Sequence, residues 1–387
     1  MIGFSTLAVL AQDSEKLTSA NNDFAFKLLK QIAREQPHEN IFISPFSVST
    51  ALQMVANGAA GETKTEIQNV LKTGSLSPDK LNTAAKNLIN SLDSQPNVIL
   101  NLANAIWYQN EFQLKPDFVA ANKNFFHAKL AGVDFNKPKS ADIINDWAGT
   151  KTHGKIKEIV SFPFSPAIRV ILANAIYFKG RWAEPFDKGQ TKSRPFYLSN
   201  NESKQTSMMM QHRHFSYQET KGFQAVRLAY SGKNLSMILF LPKTNSSPRQ
   251  LLADLSAVSW QDDISSQFEG REGALVFPKF KLEYGVRLNN PLKALGIKKA
   301  FSTEADFSAM SDKPLHVSEA KQKSYIEVNE EGTEAAAVTG FGFTLLGAIH
   351  DPPKPFEMIV NHPFLFIIAD EHTQSILFMG IVNDPIN

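Results

Sequence analysis

The 387 residues contain no cysteine, which excludes disulfide bridges, thiol nucleophiles and thiolate metal sites, and leaves the redox compartment open. An excess of one charge is also missing. Forty basic residues face 38 acidic ones, a net charge of +2, so the balance gives no reason to expect nucleic acid or a membrane surface as partner. No apolar run reaches the ~18–20 residues that a membrane span needs. Gly-x-Ser-x-Gly, phosphate-loop and His-Glu-x-x-His patterns are lacking, and no nucleophile–base pair stands out, so the chain is not expected to be an enzyme. Gly340-x-Gly342 lacks the third glycine and the following helix of a nucleotide fingerprint. His212 and His214 would share one strand face, but no further ligand stands near in sequence, so a solvated strand is the better reading than a metal site. Lys72, Lys80 and Lys86 are scattered over polar segments and read as a solvated face rather than a polyanion site. Met208-Met209-Met210 reads as packing. No cofactor and no metal are expected.

What the chain does have is material for a sizeable core: 43% hydrophobic and 20% charged residues. Phe24, Leu28, Leu29 and Ile32 follow capping candidates at Asn21, Asn22 and Asp23, and helical spacing continues over Ser47 to Ala56 and Thr63 to Leu71. Strand patterns cover Val98 to Trp107, Arg169 to Phe178, Ala225 to Tyr230 and Leu235 to Leu241, with helices again at Ala141 to Thr150 and Pro291 to Leu295. Helices interleaved with long strands and no βαβ rhythm predict one mixed α+β domain. Met1 to Ala11 is apolar and ends Val9-Leu10-Ala11, like a secretory cleavage site without its basic front. Residues 1–16 are therefore expected to be a tail or signal remnant, and the protein to be secreted. Asn201, Asn234 and Asn245 open glycosylation acceptor triplets, a pattern that also arises by chance.

One stretch stands apart, Ile326 to Ile349. It opens in strand alternation, with Tyr325, Glu327 and Asn329 opposite Ile326 and Val328. A run of small residues follows, Glu330-Glu331-Gly332-Thr333-Glu334-Ala335-Ala336-Ala337-Val338-Thr339, and then an apolar tip. As a strand, Thr333, Ala335, Ala337 and Thr339 would share one face, small enough to enter an existing core. Gly332 gives backbone freedom where the chain bends back. The Glu/Ala content alone suits a helical linker equally well.

The stretch Glu330 to Ala337 resembles the hinge of the serpins, the serine protease inhibitor family. The resemblance extends over Asn40-Ile-Phe-Ile-Ser44-Pro45-Phe-Ser47, Leu102-Ala-Asn-Ala-Ile-Trp107, Ile144-Asn-Asp-Trp147, Thr152-His-Gly154-Lys-Ile156 and Ala173-Asn174-Ala-Ile-Tyr-Phe178-Lys-Gly180-Arg-Trp182. Phe277-Pro278-Lys-Phe280, Asn361-His-Pro363-Phe364 and Phe378-Met379-Gly380 continue it in order, so it runs from about Leu17 to the C-terminus and implies a single domain over 17–387. It implies helices packed around a large central mixed sheet plus further sheets, with a reactive-centre loop over about 331–355. It also implies a suicide-type inhibitor: a chymotrypsin-like serine protease attacks the loop, and the cut loop enters the sheet as a new strand paired with the strand of Ile326 and Val328. The expected partner is that protease, and the expected state a monomer able to form loop–sheet polymers. Counting from the hinge places the reactive bond at Leu346–Gly347, with Phe343, Thr344 and Leu345 setting specificity and Phe343 the competing cleavage site. The alternative is a non-inhibitory storage, carrier or chaperone member of the family. The resemblance further implies a polar cluster beneath the sheet opening, formed by Ser44, Ser47 and Asn174 and grouped here with Trp182. Gln322 stands where the family usually has histidine.

Overall fold

The computed structural model describes residues 2–93, 98–200, 202–232, 234–260, 267–333 and 354–386. Two sheets account for the strands among them. The first is mixed and six-stranded, in the order Phe280–Arg287, Val317–Val328, Val170–Arg181, Val98–Gln109, Lys129–Val133, with the two-residue strand Gly332–Thr333 also paired to Val170–Arg181. The second, nine-stranded, is built mainly from later segments such as Ser203–Glu219, Leu235–Pro242, Phe364–Asp370 and Ile376–Val382. This is the α+β plan that the sequence predicts.

Period-two alternation explains how the first sheet can be covered on both sides. On Val170–Arg181 the even residues Val170, Leu172, Ile176 and Phe178 enter the large core shared with the second sheet. Odd residues Ile171, Ala173, Ala175 and Tyr177 enter a smaller core beneath the helix Lys139–Lys151, with Ile144 and Ala148 from that helix. The strand Val317–Val328 begins with Val317 on the large-core side and continues with Ala320, Ile326 and Val328 on that side. An irregularity between Val317 and Glu319 makes the switch from odd to even possible.

The helix Pro45–Ala56 is buried along its whole length and packs against both Val98–Gln109 and Val170–Arg181. It starts where it does because Ser44 caps it, accepting the Ser47 backbone N–H at 3.2 Å, and Pro45 occupies the first turn. The first helix runs unbroken over Ile2–Glu35, across the boundary expected at residue 17, and Asp13 within it is buried. No helix among the described residues is long and apolar enough to cross a membrane.

Candidate functional site

The central strand Val170–Arg181 and its neighbour Val317–Val328 run parallel, and their register holds from Val170 opposite Val317 to Tyr177 opposite Tyr325. Beyond that pair the two strands no longer hydrogen-bond to each other, and the sheet forks. The hinge enters the fork. After Val328 the chain turns, with reciprocal backbone bonds between Asn329 and Gly332 of 2.8 and 3.2 Å. Gly332 then lies antiparallel to Arg181 and Thr333 to Gly180. The first hinge residues thus pair with the Gly180–Arg181 end of the central strand, while the Asn329–Gly332 bridge ties them back to the chain leaving Val317–Val328.

Glycine is required at two points here. Gly332 has φ +142°, and a Cβ on it would stand 2.3 Å from the Gly180 carbonyl oxygen. A Cβ on Gly180 would stand 2.7 Å from the Tyr230 ring. Thr333 is fully buried, and its hydroxyl is 2.9 Å from the Tyr230 hydroxyl. Burial drives the Tyr230 phenol far above its ordinary range, with the Thr333 hydrogen bond pulling only partly the other way, so it stays a neutral hydrogen-bonding group. Tyr230 in turn stacks on Trp182, ring centroids 4.6 Å apart.

Trp182 holds the fork from the other side. Its indole N–H donates to the Asn329 carbonyl at 3.0 Å, and its backbone N–H to the Glu331 carbonyl at 3.0 Å. Glu330, 4% exposed, pairs with Lys279 at 3.0 Å and accepts from the Thr191 hydroxyl at 2.8 Å. Burial alone would raise its carboxyl, but its backbone hydrogen bond, Lys279 and Thr191 together hold it below the usual glutamate value. Glu331 is paired with Lys188.

Further down the same seam lies a transverse row of polar side chains. Asn104 is opposite Asn174, and Asn174 opposite Gln322, on three adjacent strands. The Asn174 amide donates to Asn104 Oδ1 at 2.5 Å and to the Ser47 hydroxyl, while its oxygen accepts from Gln322 Nε2 at 2.7 Å. Gln322 also donates to the Ser44 carbonyl and accepts from the Ser44 N–H, each at 3.0 Å. Ser44, Ser47, Asn174 and Gln322 are all at most 2% exposed, and every donor and acceptor of the glutamine amide used here has a partner inside the protein.

The structure therefore brings Ser44, Ser47, Asn174 and Gln322 together and adds Asn104. Trp182 does not join them. It lies eight residues beyond Asn174, just past the end of the strand Val170–Arg181, roughly 26 Å away at ~3.3 Å per residue, and belongs to the fork instead. Of the hinge, Glu330, Glu331, Gly332 and Thr333 are placed as above. Glu334, Ala335, Ala336, Ala337, Val338 and Thr339, the specificity positions Phe343, Thr344 and Leu345, and the bond Leu346–Gly347 lie outside the described residues. Sequence reasoning missed Tyr230, Lys279, Thr191 and Asn104. For Asn104 a signal was available: Leu102-Ala103-Asn104-Ala105-Ile106 repeats as Leu172-Ala173-Asn174-Ala175-Ile176, and the two segments pair antiparallel about their asparagines.

Residues 19–385 match the family model described as serpin (serine protease inhibitor). This chain is a serpin. Iripin-2 of Ixodes ricinus is 36% identical over 392 residues, covering 99% of this chain and 98% of its own. The leukocyte elastase inhibitor of Sus scrofa is 34% identical over 383 residues, covering 96% of this chain and 100% of its own. Among solved structures, human thyroxine-binding globulin complexed with thyroxine superposes with a TM-score of 0.88 at 29% identity, covering 97% of this serpin and 100% of that chain. The family thus includes both a relative named as a protease inhibitor and a relative named for a small ligand. Against that frame the fork is the upper end of this serpin's central sheet, and the polar row spans the seam that any added strand has to part.

Proposed function

We propose that this serpin is a suicide-type inhibitor of chymotrypsin-like serine proteases, trapping the acyl-enzyme by inserting its cleaved loop between Val170–Arg181 and Val317–Val328. The observation that carries the reading is the hinge: Gly332 and Thr333 already form the first antiparallel pairs with the central strand, with Thr333 buried against Tyr230. Residues that follow need only continue down the seam. Attack by the protease serine on the Leu346 carbonyl forms an ester and frees the Gly347 amine. Thirteen further residues at ~3.3 Å each then carry the attached enzyme on the order of 40 Å toward the other end of the sheet.

Insertion exchanges one parallel ladder for two antiparallel ones. The ladder lost holds eight registered pairs, so the net gain is about one ladder. At ~1 kcal/mol per hydrogen bond this is on the order of 10 kcal/mol, comparable to the stability of a whole domain. The uncut state is accordingly held by a barrier, and the row Asn104–Asn174–Gln322 lies across the seam where that barrier has to be crossed.

Small side chains at Thr333, Ala335, Ala337 and Thr339 favour rapid insertion, which supports inhibition over a carrier or storage role. Thr344-Leu345-Leu346 suits an apolar primary pocket, and nothing basic lies between Glu330 and Ile349 for a trypsin-like one. Export from the cell, resting on the apolar Met1–Ala11 segment, is part of the same proposal. The test is incubation with a panel of chymotrypsin-, elastase- and trypsin-like proteases followed by denaturing electrophoresis. A band at the summed mass with the apolar-pocket enzymes is expected; cleaved or untouched chain alone would favour the carrier or storage reading.

A further inference from the structure

A cavity of about 840 Å³ opens between the strands Val98–Gln109 and Lys129–Val133 of the first sheet and the C-terminal half of the helix Lys139–Lys151. It lies two strands from the fork and shares no residue with the hinge. Its volume exists because the strands present small side chains there, Ala103, Ala131 and Gly132 among them. The apolar side chains of its wall are Trp107 and Val133 from the helix-facing side of the sheet and Ile143 and Trp147 from the helix. Ile143 is 40% exposed, which is unusual for so large an apolar side chain. The two indoles meet edge to face at 5.9 Å, and neither indole N–H has an acceptor among the described residues. Over these apolar surfaces stand Lys129, Lys151, His127 and His153, all exposed, and no acidic residue among the described residues lines the cavity. Asn101 ties its edge, donating to the Lys151 carbonyl at 3.0 Å and lying 3.0 Å from His153 Nε2.

We infer that this cavity is a binding site for a small amphiphilic anion: an apolar aliphatic or aromatic body carrying one carboxylate or sulfonate. The volume is that of an ordinary small-molecule pocket. The body lies on the indoles and on Val133 and Ile143, where its burial supplies affinity. The head group lies toward Lys129 and Lys151, where the one-sided charge of the rim favours an anion and disfavours a cation. Binding to the folded sheet and helix together raises the melting temperature, since the unfolded chain has no such cavity. The site stands independently of protease inhibition.

The test is a fluorescence titration of the intact protein with 8-anilinonaphthalene-1-sulfonate, followed by displacement with decanoate and with decyltrimethylammonium. Saturable one-to-one binding is expected, displaced by decanoate and not by the cation, with Tm rising as decanoate is added. Lys129→Glu together with Lys151→Glu, both on exposed side chains, weakens binding about tenfold or more, since two attractions become repulsions. Lys80→Glu, remote from the cavity, leaves it unchanged. Ala131→Phe fills the volume and abolishes binding; should that variant not fold, the lysine pair decides. Absence of saturable binding, equal displacement by the cation, or affinity unaltered in the Lys129→Glu/Lys151→Glu variant would each overturn the assignment.

Discussion

Replacing Gln322 with leucine removes the one side chain that ties the strand Val317–Val328 to both Asn174 and Ser44. The variant keeps the shape of the site roughly but loses three hydrogen bonds, of 2.7, 3.0 and 3.0 Å. The Ser44 carbonyl keeps a partner in the Val48 N–H, whereas the Ser44 N–H and Asn174 Oδ1 are left buried without one. At ~1–3 kcal/mol for each orphaned group, the folded state loses about 2–6 kcal/mol relative to the unfolded chain. Sheet opening is affected differently. Opening has to break the Gln322–Asn174 bond anyway, so only that bond's share, ~1–1.5 kcal/mol, comes off the barrier. The rate of spontaneous loop insertion and polymerisation should therefore rise about five- to tenfold. Thermal melts give the first quantity, and native gels of samples held at fixed temperature give the second. Lys321→Ala and Lys323→Ala, one position to either side, serve as controls and should change neither. An unaltered Tm and polymerisation rate in Gln322→Leu, or an equal acceleration in the controls, would refute the argument that this amide latches the seam.

The remaining predictions concern pH and the hinge. None of Ser44, Ser47, Asn104, Asn174 and Gln322 titrates, so polymerisation of the native protein should be nearly flat from about pH 8 to about pH 6. Glu330, whose carboxyl is held below the usual glutamate range, contributes stability that is present above its unfolded value and lost as pH falls through its folded one, so acceleration should begin only at that acid pH. Gln322→His moves the onset upward: a buried neutral imidazole has a depressed folded pKa, the unfolded chain takes up the proton first, and stability falls as pH drops through about 6.5. Native gels across a pH series test all three statements. Thr333→Arg would place a guanidinium at a fully buried position against Tyr230, so the hinge should stay out of the fork. The variant should fold, be cleaved as a substrate and form no covalent complex; an unchanged stoichiometry of inhibition would rule out insertion.

The sheet strands were readable because their apolar runs are long: the patterns at Val98–Trp107 and Arg169–Phe178 recur as strands Val98–Gln109 and Val170–Arg181. Their ends were not, since Gln109 and Lys179–Arg181 carry no apolar signal. Ser44, Ser47, Asn174 and Gln322 could be grouped only through family blocks; periodicity alone shows polar residues in apolar strands without saying which ones meet. Trp182 exposes the limit of that route, because membership of one sequence block with Asn174 does not shorten the strand between them. Tyr230 comes from the second sheet, 103 residues from Thr333, and a contact of that separation leaves no local pattern. The N-terminal boundary at residue 17 followed the extent of the family resemblance, and the helix Ile2–Glu35 spans that position.

A protease that cuts the loop once should be carried into the sheet still attached. Intact-mass spectrometry of this serpin mixed with chymotrypsin tests it directly. The expected product is a covalent species of the summed masses less one released peptide that begins at Gly347, so that the ester lies on Leu346. A peptide beginning at Thr344 would move the bond to Phe343 and leave insertion standing. Cleaved chain and free enzyme with no covalent species would contradict the account.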